Sequence, residues 1–548
     1  MSKKKGFTLI ELLSVIVILA IIALIAVPVI VNIINKANKS AFKDSVYGII
    51  KASELYYATE DIVNDFSEEK EFTFPNDVEE LELKGKLPTG GTLKIKEDGT
   101  LTFALTNGRY CARYGIEDKD VIVSEEEDCY MYKEEILNGA DPVLKEGMIP
   151  VTIEPAGTVK KVHSTSKWYS YEEKMWANAI TVKEEVREKY KNASVGTVIA
   201  EEDILTYFVW IPRYKYELWY VEASDGYTER DPSKVHSINI VFENNTTNKS
   251  DGTCNGTNDK PSNGCYLTHP AFTFGEEEVN GIWVGKFETG YSGAANKEEA
   301  QKTEIDSNKV IIKPNVHSWR YNTVSNMFYT ALNMNKEYNV FGLTTESDTH
   351  MMKNTEWGMV AYLAYSDYGK DSEVYINNNN NYLTSCGGDT ANQSERGTCL
   401  NSYGTKEDDV YNQSTTGNIS GIFDMSGGAN EYMMGGQTTT ANDEIKQLSG
   451  FTDETFPEDK YIDKYLGGGK YSSRILGDGT GEFGPFEDTD SIHLKYNSWY
   501  DGNAVMINGW NPFFVRGGNY YQSTSDISLF ALNSGQSFNG NSFRIVIS

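Results

Sequence analysis

The residues best suited to covalent chemistry are six cysteines in three close pairs: Cys111 and Cys129, Cys254 and Cys265, Cys386 and Cys399. None forms CxxC, and no histidine stands at zinc-ligand spacing from any of them. In an exported chain they predict three local disulfides, with the pairing open on sequence alone and buried free thiols as the other reading. The histidines at 163, 236, 269, 317, 350 and 493 are scattered and form no HExxH. Nucleophile-elbow, P-loop and dinucleotide-binding patterns are missing too. The carboxylate runs Glu276–Glu278 and Glu487–Asp490 read as solvated loops. Glu11 differs, because it stands at the start of an apolar run. A carboxylate at the centre of a membrane helix costs roughly 2.5–3.5 kcal/mol, so such a group calls for a partner. The chemistry on offer is cross-linking and charge pairing, and no catalytic centre is expected.

The element that positions Glu11 is a helix. Lys3 to Lys5 precede a stretch that is apolar from Leu12 to Val31 apart from Ser14. Roughly 20 residues of helix span about 30 Å, enough for a bilayer's hydrocarbon core. The leading lysines place the N-terminus in the cytoplasm and the body outside. No small-x-small cleavage site ends the run. Instead Ile34, Ala37, Ala41, Phe42, Val46, Ile49 and Ile50 recur at helical spacing between lysines. One helix of about 50 residues would be about 75 Å long, and Pro28 predicts a kink in it.

Lys5-Gly6-Phe7-Thr8-Leu9-Ile10-Glu11 resembles the class III signal of type IV prepilins and of type II secretion pseudopilins. The resemblance implies that a prepilin peptidase cuts after Gly6 and methylates Phe7. It implies that Glu11 meets the terminal amine of a neighbouring pilin or pseudopilin subunit.

The full chain of 548 residues carries a formal net charge of −29 and a pI of about 4.7, with 39% hydrophobic and 12% aromatic residues. That is enough apolar material for more than one core. The acidity and the lack of a basic stripe exclude nucleic acid as a partner. Strand-like runs lie at Thr92–Ile95, Leu101–Leu105 and Val121–Val123 among glycine turns, and the pilin resemblance implies that they form a small antiparallel sheet against the helix. The aromatics of Lys167–Ala179 read as core. Long polar loops at Asn244–Gly264, Asp371–Tyr382 and Gly387–Gln413 interrupt the rest, and no internal repeat is present.

Six segments, in order, resemble the formylglycine-generating-enzyme (sulfatase-modifying factor) family, a branch of the C-type lectin-like fold. They are Phe208–Pro212, Gly281–Thr289, His350–Trp357, Gly417–Tyr432 with its Phe423-Asp424-Met425-Ser426-Gly427-Gly428 core, Val515–Tyr520 and Phe543–Val546. Asn354 or Thr355 would cap the helix opened by the third. Arg516 and Arg544 are candidates for buried pairs with Asp424 or Glu431. The family's oxidases use two C-terminal cysteines to hold copper, and residues 500–548 contain none. The resemblance therefore implies a non-catalytic domain. A calcium-ligating Asn of the family signature is replaced by Gly428, with Asn430 at its Trp, which leaves Glu431 as the candidate metal ligand.

Surface receptors of the same fold present ligand-binding residues between the fifth and sixth segments. By that resemblance Asn519, Tyr520, Tyr521, Ser523, Phe530, Asn533 and Phe538 form a ligand face, joined by Trp499 and Tyr500 from just before the fifth segment. Tyr, Ser and Asn are the residues of adaptable binding loops. The expected architecture is α+β: leader 1–6, transmembrane and amphipathic helix 7–60, pilin-like headgroup 61–140, connecting segment 141–204, and a C-type lectin-like domain over 205–548. The expected function is a membrane-anchored minor pilin or adhesin that binds an extracellular protein or glycan without a cofactor. The alternative is a pseudopilin of a type II secretion or competence-like apparatus.

Overall fold

The computed structural model describes residues 9–548 apart from 115–120, 126–128, 130–138, 165–167, 222–236, 254–259, 389–398, 439–442, 467–473, 485–503 and shorter gaps. The chain divides into two compact units, Met1–Glu135 and Ile136–Ser548.

The smaller unit opens with α1 (Leu9–Asn64), a single helix that continues through Pro28. Its side chains are described from residue 35. Among the described residues no helix is long and apolar enough to cross a membrane; the side chains of Leu12–Val31, and of Glu11, lie outside them. Phe42, Val46, Ile49 and Ile50 fall on one face of α1 and are buried, as the 3.6-residue period requires. That face packs on a five-stranded antiparallel sheet of β1 (Lys70–Thr73), β2 (Gly90–Ile95), β3 (Leu101–Thr106), β4 (Tyr110–Tyr114) and β5 (Ile122–Glu125), joined in sequence order. Leu93, Ile95, Phe103 and Leu105 meet the helix side chains. Cys111 on β4 is bonded to Cys129.

The larger unit holds, among the described residues, an eight-stranded sheet and a five-stranded one. Its strands used below are β6 (Ile149–Ile153), β7 (Val159–Lys161), β8 (Asn178–Val182), β9 (Val198–Ile199), β10 (Ile204–Pro212), β11 (Gly281–Gly285) and β12 (Thr349–Met351). They continue with β13 (Asn430–Thr438), β14 (Asp463–Leu466), β15 (Phe513–Arg516), β16 (Phe530–Asn533), β17 (Asn541–Phe543) and β18 (Ile545–Ile547). The larger sheet runs β12-β18-β11-β10-β8-β6-β7-β9. Residues 141–204, read from sequence as a connector, supply β6 to β9 of this sheet.

β10 lies at the centre of that sheet and is buried along nearly its whole length, so its sequence is an apolar run instead of an alternation. Trp210 on β10 faces Trp283 on β11, with ring centroids 5.3 Å apart. Each indole donates to a carbonyl, of Ala140 (3.0 Å) and Val143 (2.7 Å) respectively. Trp168, Tyr171 and Trp176 are buried as the aromatic density predicted.

In the second sheet, β13 pairs parallel with β14 and β17 and antiparallel with β15, which pairs with β16. The chain leaves this sheet after Phe543 and enters the larger one at Ile545, so Arg544 sits at the crossover. α2 (Glu184–Lys191) and α3 (Val324–Leu332) flank the sheets, and α4 (Asn354–Ala364) is buried on every side. The residue capping α4 is Lys353, and not Asn354 or Thr355. Glu356 reaches back to the Lys353 N–H (2.8 Å), and the Thr355 N–H donates to Asp463 (2.7 Å). Carboxylates thus satisfy the helix's free N–H groups.

Candidate ligand face and the charges that hold it

Arg544 is fully buried and joins three segments. Its guanidinium grips both oxygens of Glu431 on β13, with Nε at 2.9 Å from Oε2, and donates to the carbonyls of Gly285 (2.8 Å) and Phe423 (3.1 Å). Such a two-pronged buried pair is costly to break from one side. Asp424 and Glu288 lie beside it. Asp424 Oδ1 accepts from the Ser385 N–H (2.7 Å) and the Asn377 amide (2.9 Å). Glu288 accepts from the Ala429 N–H (2.9 Å) and the Ser318 hydroxyl. Burial pushes all three carboxyls up: Glu431 to about 7 against the pull of Arg544, and Glu288 well above the usual range with Asp424 and Glu431 adding to the effect. Glu431 is therefore a poor calcium ligand here, since both its oxygens face a guanidinium that would repel a cation. Among the described residues no group of three or more His, Cys, Asp or Glu is placed to hold a metal ion.

Arg516 does not pair with Asp424 or Glu431. Its Nη1 donates to Asn354 Oδ1 (3.1 Å) and the Asp478 carbonyl (2.8 Å), and its plane lies 5.6 Å from the Trp357 ring and 5.7 Å from Phe530. It closes β15 against α4. Gly517 and Gly518 follow with φ of +76° and +71°, where an added Cβ would press on the Trp357 ring and the Met425 carbonyl, or on Ser525. Only glycine turns the chain there without strain.

That turn delivers Asn519–Ser523. Asn519 is buried, and its Oδ1 accepts from the Tyr521 N–H (3.3 Å), so it shapes the turn and offers no surface to a ligand. Tyr520 packs edge-on against Tyr382 (5.1 Å) and Tyr521 (5.3 Å). Beneath Tyr382 the Arg320 guanidinium lies 3.8 Å from the ring centroid and donates to the carbonyls of Asn539 and Lys297. Phe538 is 49% exposed and Tyr521 50% exposed; Tyr321, 46% exposed, donates its N–H to the Phe538 carbonyl (3.1 Å). Tyr520 and Tyr521 thus meet Tyr382, and Phe538 meets Tyr321 and lies with Tyr382 beside Gly540, while Ser523 is exposed two residues beyond Tyr521; Tyr321 and Tyr382 are residues the sequence reading missed. Tyr321 has a positive φ and Tyr382 ends an asparagine run, and neither signal marks a binding residue.

Phe530 is fully buried against Phe514 (6.0 Å), so it belongs to the core. Asn533 accepts from the Tyr432 hydroxyl (2.6 Å). Trp499 and Tyr500 lie outside the described residues, as do Gly6, Phe7 and Cys254. Cys386 is bonded to Cys399, and Cys265 is disulfide-bonded as well. His269 is buried among Tyr214, Tyr216, Phe272 and Tyr362, and burial lowers it to about 3.

Residues 1–27 match the prokaryotic N-terminal methylation motif. The match supports a type IV pilin-like or pseudopilin protein. It implies processing by a prepilin peptidase, assembly with other pilins, and membrane anchoring or incorporation in a pilus. No curated protein matches the chain.

Proposed function

We propose that this chain is a minor pilin or adhesin, held in the membrane or in a filament by its N-terminal helix, whose larger unit is a non-catalytic, C-type lectin-like binding domain. The methylation motif over residues 1–27 carries the first half of this reading. Gly6 is the cleavage residue, Phe7 the mature N-terminus, and Glu11 the partner of a neighbouring subunit's amine. The second half rests on the half-exposed rings of Tyr321, Phe538 and Tyr521, joined through Tyr520 and Tyr382. Isolated exposed apolar residues are ordinary; a contiguous patch marks an interaction surface. Order and spacing of the six sequence segments support a relation to formylglycine-generating enzymes, and the missing C-terminal cysteines support a domain without copper chemistry.

The test is ligand capture by cells displaying the full chain. With surface amounts matched by antibody labelling, Tyr521→Ala and Phe538→Ala should lower capture at least tenfold. Unchanged capture by both would sink the binding half. The motif is equally that of pseudopilins, so a pseudopilin role is the second reading. It requires that gene deletion block secretion and that the same two variants restore it fully.

A further inference from the structure

We infer that the C-terminal face takes an uncharged saccharide; this rests on the reading of that face as a ligand surface. The surface is marked first by what it lacks. Nearly a quarter of the chain's residues are charged, 24%, and its net charge is −29. Residues 504–548 contain three charged side chains, Arg516, Asp526 and Arg544, and each is at most 1% exposed. All three are committed internally. Asp526 accepts from the Ser528 hydroxyl and the Leu529 N–H (2.8 Å), while the two arginines hold the sheets as described. The segment therefore presents no charged side chain of its own to solvent.

What it presents is rings, amides and hydroxyls. Tyr521, Ser523, Gln536, Phe538 and Asn539 are exposed, with Tyr321 beside Phe538. A sugar ring offers hydroxyl groups that pair with such amides and hydroxyls, and C–H faces that lie against aromatic rings. Neither contact needs an ion. A polyanion would look for a cation, and among the described residues Arg320, under Tyr382, is buried with donors on backbone carbonyls. A basic peptide would look for a carboxylate, and Asp526 is out of reach. At the rim Lys297 donates to the Asn380 carbonyl (3.2 Å), and Glu298 and Glu299 follow it on the same turn; opposite signs there leave no field of one sign. Tyr521 and Tyr382 are also held in place, by the edge contacts of Tyr520 and by Arg320 stacked under Tyr382, so little of their side-chain freedom is lost on binding.

The test uses the full chain in detergent on an array that carries neutral oligosaccharides, sialylated and sulfated ones, and basic peptides. The strongest neutral ligand is then titrated at about 50 and about 500 mM salt, where screening of charge contacts differs severalfold in range. Expected are binding to neutral oligosaccharides, a Kd that changes less than about twofold with salt, and a loss of tenfold or more in Tyr521→Ala and Phe538→Ala. Tyr338→Ala, at a tyrosine 89% exposed outside this face, should leave binding unchanged. Binding only to charged ligands, weakening steeply with salt yet abolished by Tyr521→Ala and Phe538→Ala, overturns the saccharide inference and keeps the face. Binding that survives both variants overturns the face itself. A blank array overturns the inference as well.

Discussion

The two units solve the problem of a core in different ways. Among the described residues, the smaller unit buries one polar side chain, Ser53, which donates to the Ile49 carbonyl (2.9 Å); everything else in its core is apolar. The larger unit buries Arg213, Lys286, Glu288, Glu356, Asp424, Glu431, Asp478, Glu482, Arg516 and Arg544 among its aromatics. Lys286 has three acceptors, Asn178 Oδ1 and the carbonyls of Ile419 and Gly421 at 2.6–2.9 Å. Burying charge costs free energy even when it is paired, so these groups do not mark a more stable unit. They fix where strands and turns of irregular path must lie. A helix on a meander needs only its apolar faces. A unit whose chain crosses between sheets at Arg544 and turns through Gly517 and Gly518 needs directional contacts as well.

The contrast can be broken by mutation, and the largest effect is expected at Arg544. Arg544→Met leaves Glu431 buried without its cation and should cost about 3–5 kcal/mol, lowering the melting of the larger unit and leaving that of the smaller one in place. A single common shift of both would mean the units do not melt separately. Phe103→Ala is the converse, since Phe103 is fully buried in the smaller unit. It should cost that unit about 3–4 kcal/mol and leave the melting of residues 136–548 unchanged by calorimetry.

A smaller effect separates the cores by pH. Burial, with Asp478 adding to it, raises Glu482 to about 7; its Oε1 accepts from the Tyr216 hydroxyl (2.8 Å) and the Gly477 N–H (3.1 Å). A carboxyl with a raised folded-state pKa favours the fold when protonated. Its contribution is complete below the unfolded value near 4.5 and is lost as pH rises through about 7. Glu482→Gln should therefore raise the stability of the larger unit by on the order of 2 kcal/mol at pH 8 and by little at pH 5. Equal effects at both pH values would assign the change to packing. Smallest of all, Tyr521→Ala and Phe538→Ala should stay within about 0.5 kcal/mol of the parent in denaturant unfolding, because both rings are half exposed. A larger loss would make them structural and weaken their use as probes of binding.

Period and pattern made the smaller unit readable from sequence. The buried face of α1 follows from Phe42, Val46, Ile49 and Ile50, and the strand-like runs gave β2, β3 and β5. β1 and β4 were missed because Lys70–Thr73 is nearly all exposed or half-buried and Tyr110–Tyr114, Tyr-Cys-Ala-Arg-Tyr, shows no apolar–polar alternation. In the larger unit the Arg544–Glu431 pair was legible because a buried arginine must find a carboxylate. The partners of Arg516 were not, since an amide and a backbone carbonyl 162 and 38 residues away leave no pattern. The exposed surface around Tyr521 and Phe538 was half legible. The resemblance to receptors of the same fold pointed to Tyr521 and Phe538, while the burial of Asn519 and Phe530 depends on a turn and on pairing with β15. Tyr321 and Tyr382 come from distant loops, and only the folded chain brings them in.

The account depends first on how the chain reaches the cell surface, and mass spectrometry of the N-terminus of the membrane-extracted protein measures that directly. The account predicts a chain that lacks residues 1–6 and begins at N-methylated Phe7, with Gly6→Val accumulating the uncut form. A mature chain that retains Met1, or that begins beyond the apolar run ending at Val31, would contradict it.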